Sequence, residues 1–298
     1  MNFKGSYVAL VTPFDSQDNV NYKVLEDLIE FHIASHTDGI VILGTTAESP
    51  CLSDSEKEEI VKFTINKVNK RIPVIVGSGS NSTKIAIEHS KKYESLGADA
   101  LLVITPYYNK TNSEGMIKHF EAIADSVNIP IIMYNVPSRT GISLKEQEVA
   151  ILSKHKNIQA IKEASGNISF ASRITKYASS DFAILSGNDD QIVPLMSLGA
   201  TGVISVLANI APNVVHQIVK NMLEGNYEEA RRLQLKYLDL TNDLFLETNP
   251  IPVKEAMNYM GFNVGECRLP LYKMKDDNAK ILHDEIDRLG DLIKWKFV

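Results

Sequence analysis

The chain has 298 residues, enough for a sizeable core, with 44% hydrophobic and 23% charged residues, an ordinary balance for a folded soluble protein. A net charge of −6 argues against a nucleic-acid or anionic-membrane partner, so an anionic substrate needs local positive charge. Cys51 and Cys267 form no CxxC or zinc spacing and suit a reducing cytoplasm; the N-terminus lacks a signal-peptide pattern, and no apolar run reaches the roughly 18 residues of a membrane helix.

Eight short apolar runs follow in chain order: Tyr7–Val11, Gly39–Leu43, Pro73–Val76, Ala100–Ile104, Pro130–Tyr134, Ile158–Lys162, Phe182–Leu185 and Gly202–Val206. Most are bounded by Gly, Pro, Asn or Thr, which punctuate strands. Helical patterns lie between them at Lys23–Ser35, Lys84–Leu96 and Glu114–Val127. Ser53-x-x-Glu56 reads as a capping box opening a helix to Val68, and Ser143-x-x-Glu146 as another opening a helix to Ser153. Strands alternating with helices imply parallel βαβ units, and eight units favour a closed (β/α)₈ TIM barrel over an open doubly wound sheet. No GxGxxG follows the first strand, which weakens a dinucleotide-binding reading. After about residue 225 only helical patterns remain, at Tyr227–Phe245, Ile251–Met260 and Asp277–Trp295. The expected organisation is a catalytic barrel over residues 1–224 and a C-terminal helical extension over residues 225–298.

Chemistry on this fold gathers at the C-terminal ends of the strands. In Ile158-Gln159-Ala160-Ile161-Lys162, alternation places Ile158, Ala160 and Lys162 on one face; if Ile161 faces the helices, Lys162 faces the barrel interior. Desolvation disfavours a charged ammonium, which suits a nucleophilic amine, while a lysine snorkelling at a strand end is an equal alternative. Tyr134 has the parity of Ile132 and is a candidate proton shuttle or a core tyrosine. Thr45 and Thr46 end the second strand and could hold a small carboxylate or serve as turn residues. Arg139 could grip a carboxylate through its two parallel N–H groups or lie on the surface. Tyr107-Tyr108 fits loop packing or an interface pair, and Asp189-Asp190 fits helix capping better than a metal. The seven histidines form no HxH or HExxH set, so no metal is expected, and Met257-Met260 reads as helix packing. Together these residues fit imine chemistry on a small keto acid.

The motifs Ala9-Leu10-Val11-Thr12-Pro13-Phe14, Gly44-Thr45-Thr46-x-Glu48-Ser49, Thr105-Pro106-Tyr107-Tyr108-Asn109-Lys110, Tyr134-Asn135-Val136-Pro137-x-Arg139-Thr140-Gly141, Lys162-Glu163-Ala164-Ser165-Gly166-Asn167 and Ser186-Gly187-Asn188-Asp189-Asp190 occur in order. In them the chain resembles, over essentially its whole length, the dihydrodipicolinate synthase family of pyruvate-dependent class I aldolases and lyases. The resemblance implies a lyase that condenses pyruvate with L-aspartate-4-semialdehyde, the first committed step towards diaminopimelate and lysine, with no cofactor beyond a lysine–pyruvate imine. It implies Lys162 as the Schiff-base lysine and Thr45, Tyr134 and Tyr108 as a proton relay, Tyr108 reaching in from a neighbouring subunit of a homotetramer built from tight dimers. It further implies Thr45 and Thr46 at the pyruvate carboxylate, Arg139 at the carboxylate of the semialdehyde, and Gly187 and Ile204 lining the pocket.

Two positions depart from the family pattern: Ala47 and Ser138 stand where glycine is usual. Ala47 would be strained if that position needs φ > 0, and Ser138 could shift the reach of Arg139. Lysine-inhibited members carry a histidine and an acidic residue in an interface effector site, where this chain has Lys57 and Ile85 beside the retained Ser49, Asn81 and Tyr107. Weak or absent inhibition by lysine is therefore expected. The rival readings are a sister aldolase, such as N-acetylneuraminate lyase or a keto-deoxy sugar-acid aldolase, and a non-catalytic pyruvate or amino-acid sensor on the same fold.

Overall fold

The computed structural model describes residues 3–290. Eight parallel strands close into a barrel in chain order: β1 (Gly5–Ala9), β2 (Gly39–Ile42), β3 (Val74–Gly77), β4 (Ala100–Ile104), β5 (Ile131–Asn135), β6 (Ile158–Glu163), β7 (Ala183–Ser186) and β8 (Gly202–Ser205). Each overlaps the apolar run expected from the sequence, shifted by two residues or fewer at either end. The strands read as continuous apolar runs because both faces are covered. Val8, Ile40, Val74, Val103 and Ile161 pack outward with the helices. Tyr7, Val41, Ile75, Leu102, Ile132 and Leu185 fill the barrel interior.

The seam between β1 and β8 that closes the barrel begins at two glycines. Gly5 of β1 pairs with Gly202 of β8, and a Cβ at Gly202 would lie 2.0 Å from the Gly5 carbonyl oxygen. No larger residue lets these two backbones approach so closely.

Alternation holds through Ala160, Ile161 and Lys162 but fails at Ile158. The register between β5 and β6 shifts after Ile131, which pairs with Ile158, so that Ile132 pairs with Ala160. Ile158 therefore joins the outer core and not the interior face expected for it. The capping box at Ser53 is present, with Glu56 N–H on the Ser53 hydroxyl and Ser53 N–H on the Glu56 carboxylate. The one expected at Ser143 is not. That hydroxyl donates to Asn135 and to the Leu144 carbonyl, and the helix Glu146–Leu152 is capped when Lys145 N–H donates to Glu148.

After the helix Pro212–Glu224, which packs on β1 and β8, come the helices Tyr227–Lys236, Leu238–Asp243, Ile251–Tyr259 and Asp276–Leu289. The helix expected over Tyr227–Phe245 is interrupted at Tyr237, which ends the helix Tyr227–Lys236 and opens Leu238–Asp243. The last helix ends at Gly290, which takes the left-handed conformation (φ 64°) usual after a helix. The stretch 291–295, expected to continue it, lies outside the described residues. Among the described residues no helix is long and apolar enough to cross a membrane.

Candidate active site

Lys162 and Tyr134 are direct register partners on β6 and β5. Their shared inward parity brings the Lys162 ammonium to 4.5 Å from the centroid of the Tyr134 ring. Lys162 is 5% exposed, and among the described residues no carboxylate lies within ion-pair distance of it. Snorkelling into open water is thus not what this side chain does. A ring face offsets only part of the cost of burying an ammonium. The Tyr134 hydroxyl makes no hydrogen bond to a described residue, unlike a core tyrosine with a satisfied O–H.

Gly187 and Ile204 stand beside this pair. A Cβ at Gly187 would lie 2.5 Å from the Ala164 methyl and 3.0 Å from Lys162 Cε, so glycine leaves the room in which the lysine stem lies. Ile204 is fully buried in the same interior cluster as Tyr134 and Leu185. Below them Glu163 is buried pointing the other way. It accepts from Asn135 Nδ2 at 2.8 Å and Ser165 N–H at 2.7 Å, and burial holds its carboxyl above the usual range against those bonds. Asp189 does cap, as expected, but its target is the turn after β8: its carboxylate accepts from Val206 and Leu207 N–H at 2.8 and 2.9 Å. Burial raises its pKa.

The loop after β2 carries Thr45 and Thr46. Thr45 is half-buried and makes no hydrogen bond with Tyr134. Thr46 is buried, and its Oγ1 accepts from Asn249 Nδ2 at 3.0 Å. The Asn249 carbonyl in turn accepts from Arg139 Nη2 at 2.8 Å. Asn249 thus ties the β2 loop to the short helix Pro137–Thr140 after β5. Its buried Oδ1 has no partner among the described residues. Ser138 is exposed, and Arg139 keeps its anchor beside it.

Ala47 does not have positive φ; Leu43 and Glu48 are the left-handed residues of this loop (φ 54° and 55°). Its methyl brings no backbone strain. Left-handed backbone costs a non-glycine residue about 1–2 kcal/mol, and Glu48 is held in it by a buried network. Its carboxylate accepts from Lys254 Nζ at 2.9 Å and from Arg268 N–H at 2.8 Å. Both cations also lie over the Phe14 ring. Burial and the Glu48 charge push the Cys267 thiol up to about 12.

Tyr108 is not brought to the site within one chain. It is 92% exposed on a loop after β4, with left-handed backbone (φ 67°). Sequence reasoning missed Asn249 and Lys254 altogether. Glu48 stood inside a quoted motif without a role, and its apposition to a C-terminal lysine has no local signal. Among the described residues no three His, Cys, Asp or Glu side chains are grouped to hold a metal.

Comparison with known proteins places the chain in a family. The model of the dihydrodipicolinate synthetase family matches residues 2–289. A 4-hydroxy-tetrahydrodipicolinate synthase of Clostridium perfringens is 53% identical over 292 residues, covering 98% of this chain and all of that protein. The crystal structure of dihydrodipicolinate synthase from Aquifex aeolicus superposes with a TM-score of 0.94 at 41% identity, over 97% of this chain and 98% of that one. A dihydrodipicolinate synthase variant described as monomeric superposes with the same score at 38% identity, over 97% of each chain.

Proposed function

The chain belongs to the dihydrodipicolinate synthetase family, and from that premise we propose how its residues divide the work of a lyase that condenses pyruvate with L-aspartate-4-semialdehyde on the route to diaminopimelate and lysine. The observation that carries the reading is Lys162, buried at the C-terminal end of β6, facing Tyr134 and without an ion-pair partner among the described residues. The named relatives are synthases, which favours this reaction over the sister aldolases.

As the free amine, Lys162 Nζ adds to C2 of pyruvate, and loss of water leaves a C=N bond. The protonated imine draws electrons from C3, so a methyl proton departs and an enamine forms. C3 then attacks the aldehyde carbon, and the aldehyde oxygen takes a proton to become the hydroxyl. The amino group of the semialdehyde adds to C2 and displaces Lys162, closing the ring of 4-hydroxy-tetrahydrodipicolinate. The lysine imine is itself the electron sink, so the sequence uses no external cofactor. Tyr134 passes protons to and from these centres, with Thr45 behind it and Tyr108 supplied by a neighbouring subunit. Thr45 and Thr46 hold the pyruvate carboxylate, Arg139 selects an aldehyde carrying an acid, and Gly187 and Ile204 shape the walls.

A homotetramer of tight dimers accounts for Tyr108, a tyrosine left in solvent by its own chain. Of the described residues, 3–224 make up the catalytic barrel on this reading, and 225–290 a helical region whose Asn249, Lys254 and Arg268 brace its catalytic face. Two free thiols suit a cytoplasmic site of action.

Borohydride reduction in the presence of pyruvate tests the reading. Mass spectrometry should find the reduced adduct on the peptide holding Lys162 and nowhere else. No adduct, or the same adduct in Lys162→Ala, refutes it. An aldehyde panel should then show turnover with aspartate semialdehyde.

A further inference from the structure

We infer that Asn249 is a positioning residue that sets the polarity of the Thr46 hydroxyl, turning its hydrogen towards the pyruvate carboxylate. The inference rests on the reading of Thr46 given above. A hydroxyl carries one hydrogen and two lone pairs. Asn249 Nδ2 donates into one lone pair at 3.0 Å, and that nitrogen has no lone pair with which to accept the hydroxyl's hydrogen. The Thr46 hydrogen is therefore not spent on Asn249 and remains for an acceptor in the pocket. A carboxylate is such an acceptor, and a hydrogen bond to a charged group is among the strong ones.

Three features point to this role over simple packing. Thr46 and Asn249 are both buried, so water does not compete for the contact. The other polar atom of the side chain, Oδ1, is left without a partner among the described residues, an outcome that packing alone avoids with an apolar residue. The backbone carbonyl of the same residue accepts from Arg139 Nη2 at 2.8 Å. One residue thus serves both subsites by different atoms: its side chain the pyruvate end, its main chain the semialdehyde end.

That division makes the test selective. Substitution of Asn249 removes the side-chain donor and keeps the carbonyl. Asn249→Ala should raise KM for pyruvate roughly tenfold and leave KM for aspartate semialdehyde within about twofold. Asn249→Asp should be worse by roughly another tenfold, because a carboxylate takes the Thr46 hydrogen and repels the substrate's own. In a Thr46→Val background the Asn249→Ala change should have no further effect on KM for pyruvate, since both act through one hydroxyl. Equal rises in both KM values overturn the inference, as does an Asn249→Asp enzyme with unchanged KM for pyruvate, or additive effects in the double variant. Loss of the folded state in Asn249→Ala, seen by circular dichroism, moves the decision to Thr46→Ser. That variant keeps the hydroxyl and should retain KM for pyruvate in the wild-type background and lose it on adding Asn249→Asp; if KM is retained there too, the inference fails. Absence of a pyruvate adduct on the wild-type enzyme is instead the failure of the Schiff-base reading.

Discussion

The Lys254 ammonium lies 2.9 Å from Glu48 Oε1, with side chains 2% and 0% exposed. Lys162, no more open to solvent as a residue than 5%, has no such partner among the described residues. The two buried lysines of this site are therefore chemically opposite. Lys254 is neutralised by a carboxylate and further bonded to the Glu266 carbonyl at 2.8 Å. Lys162 meets the face of the Tyr134 ring instead.

Removing one member of a fully buried pair strands the other charge, and that costs about 3–5 kcal/mol. Lys254→Met should lower the unfolding free energy by about that amount in urea titrations. Lys254→Met combined with Glu48→Gln should recover part of it, since no uncompensated charge is then buried. Equal stability for the single variant and the wild type would show that the pair does not hold the loop.

Gly187→Ala places a methyl 2.5 Å from Ala164 Cβ and 3.0 Å from Lys162 Cε. Ala164 has no side-chain freedom to relieve the closer contact, so the backbone around Ala164 and Gly187 should shift and displace the Lys162 amine beside it. Misplacement of a reacting group by about 1 Å can cost a hundredfold in rate. Stopped borohydride reactions should show pyruvate adduct forming at least about tenfold more slowly, in a protein that still folds. Adduct formation at the wild-type rate would mean that the pocket has slack here.

Glu56 is held down at about 2 by hydrogen bonds from Arg268, and the unfolded carboxyl titrates near 4.5. A depressed carboxylate contributes stability in full above its unfolded value and loses it as pH falls through its folded value. Stability should therefore decline between about pH 4.5 and 2, and Glu56→Gln should flatten that part of the curve. Urea unfolding at stepped pH reads the slope, and an unchanged slope in the variant removes Glu56 from the account.

Lys57 is bound to Asp54 at 3.3 Å, and Ile85 stands exposed at the start of the helix Thr83–Ser95. In place of the family's histidine and acid, this pair offers a free lysine effector a cation and a methyl group and no carboxylate for its ammonium. Steady-state turnover should be insensitive to L-lysine at millimolar concentration. Replacing Ile85 with Glu should introduce some inhibition, and strong inhibition of the unaltered enzyme would contradict the prediction.

Much of this architecture was legible in order along the chain. Eight apolar runs, most punctuated by Gly, Pro, Asn or Thr and several separated by helical stretches, favoured the parallel barrel that the chain forms. Parity along β5 and β6 turned Tyr134 and Lys162 inward, because side chains alternate over two residues whatever the rest of the fold does. Ile158 escaped that rule, since a register shift is set by the neighbouring strand. The cap at Ser143 failed for a similar reason: Asn135, eight residues away on β5, took its hydroxyl.

What only the tertiary structure decided are the contacts that hold the pocket. Thr46 meets Asn249 across 203 residues and Glu48 meets Lys254 across 206. Helix and strand periodicities report on neighbours within about four residues. They carry no information on which distant polar group ends up opposite another once water has been excluded. The sequence by itself favoured the barrel and turned Lys162 inward by parity; burial and chain closure determined which residues hold the loop after β2 in place beside it.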